Sequence, residues 1–210
     1  MAATGVVLYG FVFIHMVGNL KIYQGPEKFN AYAQFLREVG YPALGHEQAL
    51  WIFRIVLLAA VGLHIWSATT LTLLSWQARS TAYKKKDSLV FSYASRTMRW
   101  GGVLLAAFVI YHLLHLTVGS VHPSFDPASP YDNVVAGFSV WWVALSYAVA
   151  VIMLGLHLYH GLWSACQTLN FNNPMLRDLR RPFALAVTLV IVVGFCSVPI
   201  SVLAGIVTIP

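Results

Sequence analysis

Apolar residues along this chain run in long blocks, with the polar residues gathered between them. Five blocks reach the roughly 17–25 residues that a helix needs to cross the hydrocarbon of a bilayer. They cover about 2–20, 49–77 (with Arg54 near its start), 97–121, 137–168 and 182–209. Helices are the natural reading, because an open strand would leave backbone groups unsatisfied in lipid. The pattern therefore predicts an all-α integral membrane protein, a single five-helix bundle over 1–210, with no repeat and no low-complexity linker.

The polar connections predict its direction. Arg79, Lys84, Lys85, Lys86, Arg96 and Arg99 lie between the second and third blocks, and Arg177, Arg180 and Arg181 between the fourth and fifth. The connection HPSFDPASPYDN between the third and fourth holds two Asp and no Lys or Arg. Between the first and second, Lys21, Lys28 and Arg37 are offset by Glu27, Glu38 and Glu47. Basic loops stay on the cytoplasmic side. The N-terminus is then inside and the C-terminus outside, in a multi-pass protein of the cell's inner (plasma) membrane. Within about 25–39, the stretch EKFNAYAQFLREVG reads as a short amphipathic helix lying on the outer surface.

Composition sharpens the class. The chain is 59% hydrophobic and 10% charged, against about 25% charged for soluble domains. Its mean hydropathy is +0.71. Cys166 and Cys196 fall in apolar runs and read as free buried thiols. No CxxCH is present, so no covalently attached c-type haem is expected, and no stretch resembles a cleaved signal peptide.

The chemistry lies in the histidines, since ionisable groups inside a membrane are costly and tend to be functional. His15 is in the first span, His64 in the second, His112 and His115 in the third, and His157 and His160 in the fourth; His46 and His122 fall in outer loops. At about 1.5 Å rise per residue, His15 and His112 lie in the outer half of their helices. His64 lies near the middle and His157 in the inner half. The set separates into an outer pair, His15 with His112, and an inner pair, His64 with His157. Two axial imidazoles from facing helices are what a b-type haem requires. Gly10, Gly18, Gly62, Gly101, Gly102, Gly155 and Gly161 suit a flat ring, although tight helix packing selects glycine as well. His112/His115 and His157/His160 each have i, i+3 spacing, so periodicity alone does not choose within either pair. Zinc is a competing use of such pairs, but no acid or cysteine lies at ligand spacing on those turns.

The segments FIHMVGNL (13–20), GPEKFNAYAQFLRE (25–38), LHIWSATTL (63–71), RTMRWGGVLLAAFVIYH (96–112), YDNVVAGF (131–138) and LHLYHGLWSACQTL (156–169) carry a resemblance. Over nearly its whole length the chain resembles the cytochrome b subunit of succinate dehydrogenase/fumarate reductase, in the single-subunit, five-helix, two-haem (type B) form. The resemblance implies one haem ligand on each of the first four helices: His15, His64, His112, thirteen residues after Arg99, and His157, four before GLWS. His15 and His112 would hold the outer haem b, His64 and His157 the inner one, through the haem iron. His115 and His160 take secondary roles, and Arg54, Arg96 and Arg99 are candidates for pairing haem propionates.

The resemblance also implies partners. A flavoprotein with covalent FAD oxidises succinate, and an iron–sulfur subunit docked on the cytoplasmic basic loops feeds electrons to this anchor. A quinone, menaquinone rather than ubiquinone, accepts them. Tyr9, Trp51, Trp66, Trp100, Tyr111 and Trp163 are candidate quinone contacts. The chain departs from the pattern in two ways. It begins almost inside the first span, where family members carry a basic stretch, so the native start is expected upstream. No Asp or Glu falls in the first, third, fourth or fifth span, which weakens the case for coupled proton transfer through carboxylates. The rival readings are a di-haem cytochrome b anchor of a hydrogenase or formate dehydrogenase, a non-haem membrane transporter, and a haem-free anchor of the same family.

Overall fold

A computed structural model describes residues 1–78, 91–168 and 178–210, with side chains from Met98 onward in the middle stretch. The described residues form helices and no strands: α1 (Ala2–Asn19), α2 (Pro26–Glu38), α3 (Gln48–Gln77), α4 (Phe91–Leu113), α5 (Pro130–Ser139), α6 (Trp141–Thr168) and α7 (Arg180–Leu203). A 3₁₀ turn, Leu20–Gln24, follows α1, and a wide turn, Leu114–Val118, extends α4. Five stretches are long and apolar enough to cross a membrane: Ala2–Gln24, Gln48–Gln77, Met98–Val118, Trp141–Thr168 and Arg180–Leu203. By length and composition the chain is a multi-pass helical membrane protein. Of the cationic loop residues, Arg79, Lys84, Lys85, Lys86 and Arg177 lie outside the described residues, as does the side chain of Arg96.

The helix limits differ from the apolar blocks where polar bonding intervenes. The fourth span begins at Trp141, not near Gly137, because the chain breaks at Val140, whose backbone is extended. Ser139 Oγ turns back to donate to the Val135 carbonyl and closes α5. The Val140 carbonyl then accepts from both Val143 and Ala144 and opens α6. The fifth span ends at Leu203 although the apolar run continues to Ile209. Gly205 takes a positive φ of 70°, the Gly205 N–H donates to Val202, and the Ile206 N–H donates to Ser201. This left-handed cap satisfies the last carbonyls and stops the helix. Hydrophobicity has no term for either event.

The spans pack unevenly. α6 lies along α7 and α4, and α1 lies along α3, α6 and α7. α2 and α5 close one end of the bundle, α2 against α3 and α5, and α5 against α6 and α7. The largest buried cluster sits at that end and includes Ile22, Phe29, Tyr131, Val135, Phe138, Tyr147 and Val202. Polar bonds stitch it: the Asn30 carbonyl oxygen accepts the Tyr131 N–H, an orphan donor in the first turn of α5, while the Asn30 amide donates to Ser129 Oγ. The Tyr131 hydroxyl donates to the Thr208 carbonyl, and burial, with the Asp132 carboxylate adjacent, holds its phenol above the usual range. A second cluster, Met16, Leu158 and Ile191, marks where α1, α6 and α7 cross. α3 by contrast shows one face after another outward, with Trp51, Ile55, Leu58, Leu63 and Trp66 all exposed. Such a surface is suited to lipid and not to water.

Close helix approach depends on two glycines. A Cβ on Gly155 would stand 2.5 Å from Val192 Cγ2, and one on Gly194 would stand 2.5 Å from Met16 Sδ. The β-branched Val192 has little freedom to move aside. Gly155→Leu is therefore expected to destabilise the bundle by about 1–3 kcal/mol, whereas Val193→Ala, at a lipid-facing position 65% exposed, should stay within about 0.5 kcal/mol. Unfolding of purified protein in mixed micelles measures both; equal behaviour of the two variants would rule out a close α6–α7 contact at Gly155.

Candidate functional site

Two histidine pairs lie inside the bundle at different depths. The His15 and His112 rings, from α1 and α4, have centroids 6.0 Å apart and planes inclined by 78°. The His64 and His157 rings, from α3 and α6, are 6.2 Å apart and inclined by 60°. The first pair stands near the closed end, level with Tyr147 of α6, whose ring is 5.8 Å from His112. Tyr147 precedes His157 by ten residues, so the pairs are separated by about 15 Å along the bundle. On the other side Thr4 of α1 touches His64, eleven residues before His15, which gives a similar spacing.

Neither pair sits in a tight seam. α1 with α4, and α3 with α6, are not among the closely packed helix pairs. The rings bridge gaps that the backbones leave open. Around them, Gly10, Gly62, Gly102 and Gly161 have nothing within 4 Å of where a Cβ would stand, whereas Gly18 abuts the Tyr32 ring, Gly101 the Met153 methyl and Gly155 the α7 seam. The glycines thus divide into those that open space and those that join helices. A small open cleft of about 10 Å³ adjoins His157, lined by Met98, Gly101, Met153 and Leu156.

The ring nitrogens share a pattern. Thr4 Oγ1 donates its one proton to the Met1 carbonyl at 2.8 Å, so at 3.1 Å from His64 Nδ1 it accepts. That places the His64 proton on Nδ1. His112 Nδ1 lies 3.3 Å from the Tyr147 hydroxyl. His15 has no ring hydrogen bond among the described residues, and His157 Nδ1 is buried without a partner. No hydrogen bond through Nε2 is made by His15, His112 or His157 among the described residues, and His64 also reaches the Met1 backbone.

The geometry suits an axial bis-histidine metal. A metal–nitrogen bond of about 2.0–2.1 Å plus about 1.1 Å from nitrogen to ring centre places the two centroids about 6.2–6.4 Å apart across the metal. The His64/His157 pair, at 6.2 Å, meets this separation and the His15/His112 pair, at 6.0 Å, falls just short of it; edge-to-face ring contact covers the same range. Among the described residues no group of three or more His, Cys, Asp or Glu could hold a metal ion. Each pair offers two imidazoles from facing helices, the donor set that a haem would need from the protein.

The two histidines three residues on are directed elsewhere. His115 is fully buried against α5, between the Tyr111 ring (5.5 Å, 8°) and the His122 ring (4.8 Å, 34°). A Cβ on Gly137 would come within 2.7 Å of His115 Cε1, so only glycine fits beneath these rings. His160 lies beside Trp163 at 6.0 Å. Arg54 stacks over Trp51 on its own helix, Arg99 over Trp76 of α3 and Arg181 over Trp163. Of the aromatic candidates for quinone contact, Trp51, Trp66 and Trp100 are exposed on the outside of the bundle, while Tyr9 packs among α1, α6 and α7. Cys166 and Cys196 are free thiols, but both are partly exposed and not buried as the apolar runs around them predict. The sequence offered no sign of Thr4, Tyr147 or the phenylalanines around the outer pair, Phe11, Phe108 and Phe195. Their role depends on which helix faces which.

Comparison with family models, curated proteins and solved structures gave no match.

The pairing can be read without any cofactor. In a chain with Cys166 and Cys196 replaced by Ser, the double variant His64→Cys/His157→Cys should be bridged efficiently by a rigid bis-maleimide, as should His15→Cys/His112→Cys. His15→Cys/His157→Cys, at different depths, should remain at background. Mass spectrometry of the bridged peptides reports the yield, and equal bridging of all three pairs would dissolve the two-level arrangement.

Proposed function

We propose that this chain is the membrane-anchor cytochrome b subunit of a succinate dehydrogenase or fumarate reductase, taking electrons from an iron–sulfur subunit and delivering them to a quinone. One observation carries the reading: two histidine pairs from four helices, at two depths, with ring separations of 6.0 and 6.2 Å. The quoted segments that resemble the type B anchor supply the partner and the acceptor, menaquinone.

When bound, two b haems supply reversible one-electron chemistry, and the chain's own residues hold and insulate them. His15 and His112 would hold the outer one, His64 and His157 the inner one. Phe11 stacks on His15, and Phe108 stacks on His112, so the outer rings are turned by apolar neighbours that also keep water out. The N-terminus lies inside and the C-terminus outside, in the cell's plasma membrane. This orientation puts α2 and α5 on the outer face, and the exposed Arg181 at the inner end where the iron–sulfur subunit docks. Succinate chemistry belongs to the flavoprotein; this subunit contributes the anchoring, the electron path and the quinone site.

A pyridine haemochrome assay on the purified complex tests the proposal. About two b haems per chain are expected, with one lost in His112→Ala and one in His157→Ala, and both kept in His160→Ala. A wild-type complex without haem would sink the electron-carrying role. Haem without a covalently bound flavin in the co-purified subunits would transfer the chain to the anchor of a different respiratory enzyme.

A further inference from the structure

We infer that two hydroxyl groups, Tyr147 Oη and Thr4 Oγ1, are positioning groups that set which nitrogen of His112 and of His64 faces the centre of each pair. The inference rests on the haem reading above and adds roles for residues outside the four ligands. Each pair contains one ring held by a hydroxyl and one ring that is not. In the deeper pair the held ring is His64, by Thr4; in the pair near the closed end it is His112, by Tyr147. His157 Nδ1 has no partner, and His15 has no ring hydrogen bond among the described residues.

The proton inventory gives the direction of these bonds. The Thr4 proton is committed to the Met1 carbonyl, so Thr4 accepts from His64 Nδ1 and leaves Nε2 as a lone pair. Tyr147 is 7% exposed, and its oxygen is reached by two nitrogens, His112 Nδ1 at 3.3 Å and His115 Nδ1 at 3.0 Å. A phenol has one proton to give. With His112 ligating through Nε2, its proton is on Nδ1 and is donated to Tyr147. The Tyr147 proton then goes to His115 Nδ1. His115 is therefore the acceptor that keeps the phenol proton turned away from His112. The neighbouring His122 does not compete. The Ser124 N–H donates to its Nδ1 and its Nε2 lies 2.8 Å from the Asn133 carbonyl, so its proton is already placed.

This arrangement has an electronic consequence. A hydroxyl that accepts from Nδ1–H makes the imidazole a stronger donor, and such partners tune a metal as well as orient the ring. A stronger donor favours the more highly charged, oxidised iron and lowers the potential. Each hydroxyl acts on one pair alone, because the pairs are about 15 Å apart.

Redox titration of the whole complex, with low-temperature EPR of the two haem signals, tests this. Haem loss in His112→Ala identifies the outer signal. Tyr147→Phe should retain both haems and shift the outer potential upward, leaving the inner one in place. Thr4→Val should do the reverse. His115→Leu should move the outer potential in the same direction as Tyr147→Phe but less, and His115→Gln, whose carbonyl can accept the phenol proton, should restore it. If Tyr147→Phe does not fold, the Thr4→Val and His115→Gln results decide in its place. Two haems with unmoved potentials, or with both potentials moved equally by one variant, would overturn the inference while leaving the haem reading intact. A complex without haem would remove both.

Discussion

An imidazole in hydrocarbon needs partners for two nitrogens, and helical backbone in a membrane has none to spare. That constraint organises the interior of this bundle. Four helices each bring one such ring to a gap between helices. Helix association has to come from elsewhere. It comes from the α6–α7 contact at Gly155 and from the α1–α7 crossing where Met16 lies on Gly194. With those seams carrying the packing, α1 and α4, and α3 and α6, can stand apart at the levels where the rings meet.

The two levels are built differently. Near the closed end, His112 is held in an aromatic cluster of Phe108, Tyr111, Tyr147 and Phe138, backed by the fully buried His115. Buried hydrogen-bonded networks of this type rigidify their surroundings. The deeper pair has a lighter frame: Thr4 on one side, Gly5 under the His64 ring and a small cavity beside His157. On the proposed function, such a contrast would let the environment of each site set its potential separately.

Much of this was legible in the order of residues. Five spans, the short helix over 26–38 and the grouping of His15 with His112 and His64 with His157 follow from run length, rise per residue and the alternating direction of successive helices. The choice within each i, i+3 pair did not follow, because both members share a helix face. It took the position of α5 to show that His115 is enclosed by Gly137 and His122 and turned from His15. The break at Val140 was hidden for a similar reason. Its flanks, VVAGFS and WWVALS, are apolar on both sides, and only the hydrogen bonds of Ser139 and of the Val140 carbonyl end one helix and begin another.

By itself the sequence determined the solvent this protein folds in, the number of spans and the depth of each histidine. These depend on hydrophobic length and on a fixed rise per residue, both local quantities. Tertiary structure decided which rings meet, which glycines open space and which join helices, and where the protons of His64 and His122 sit. Each of those depends on the rotation of one helix against another and on single hydrogen bonds from Thr4, Ser124 and Asn133. Such contacts join residues far apart in the chain, His15 with His112 and Met16 with Gly194 among them, beyond the reach of any local pattern.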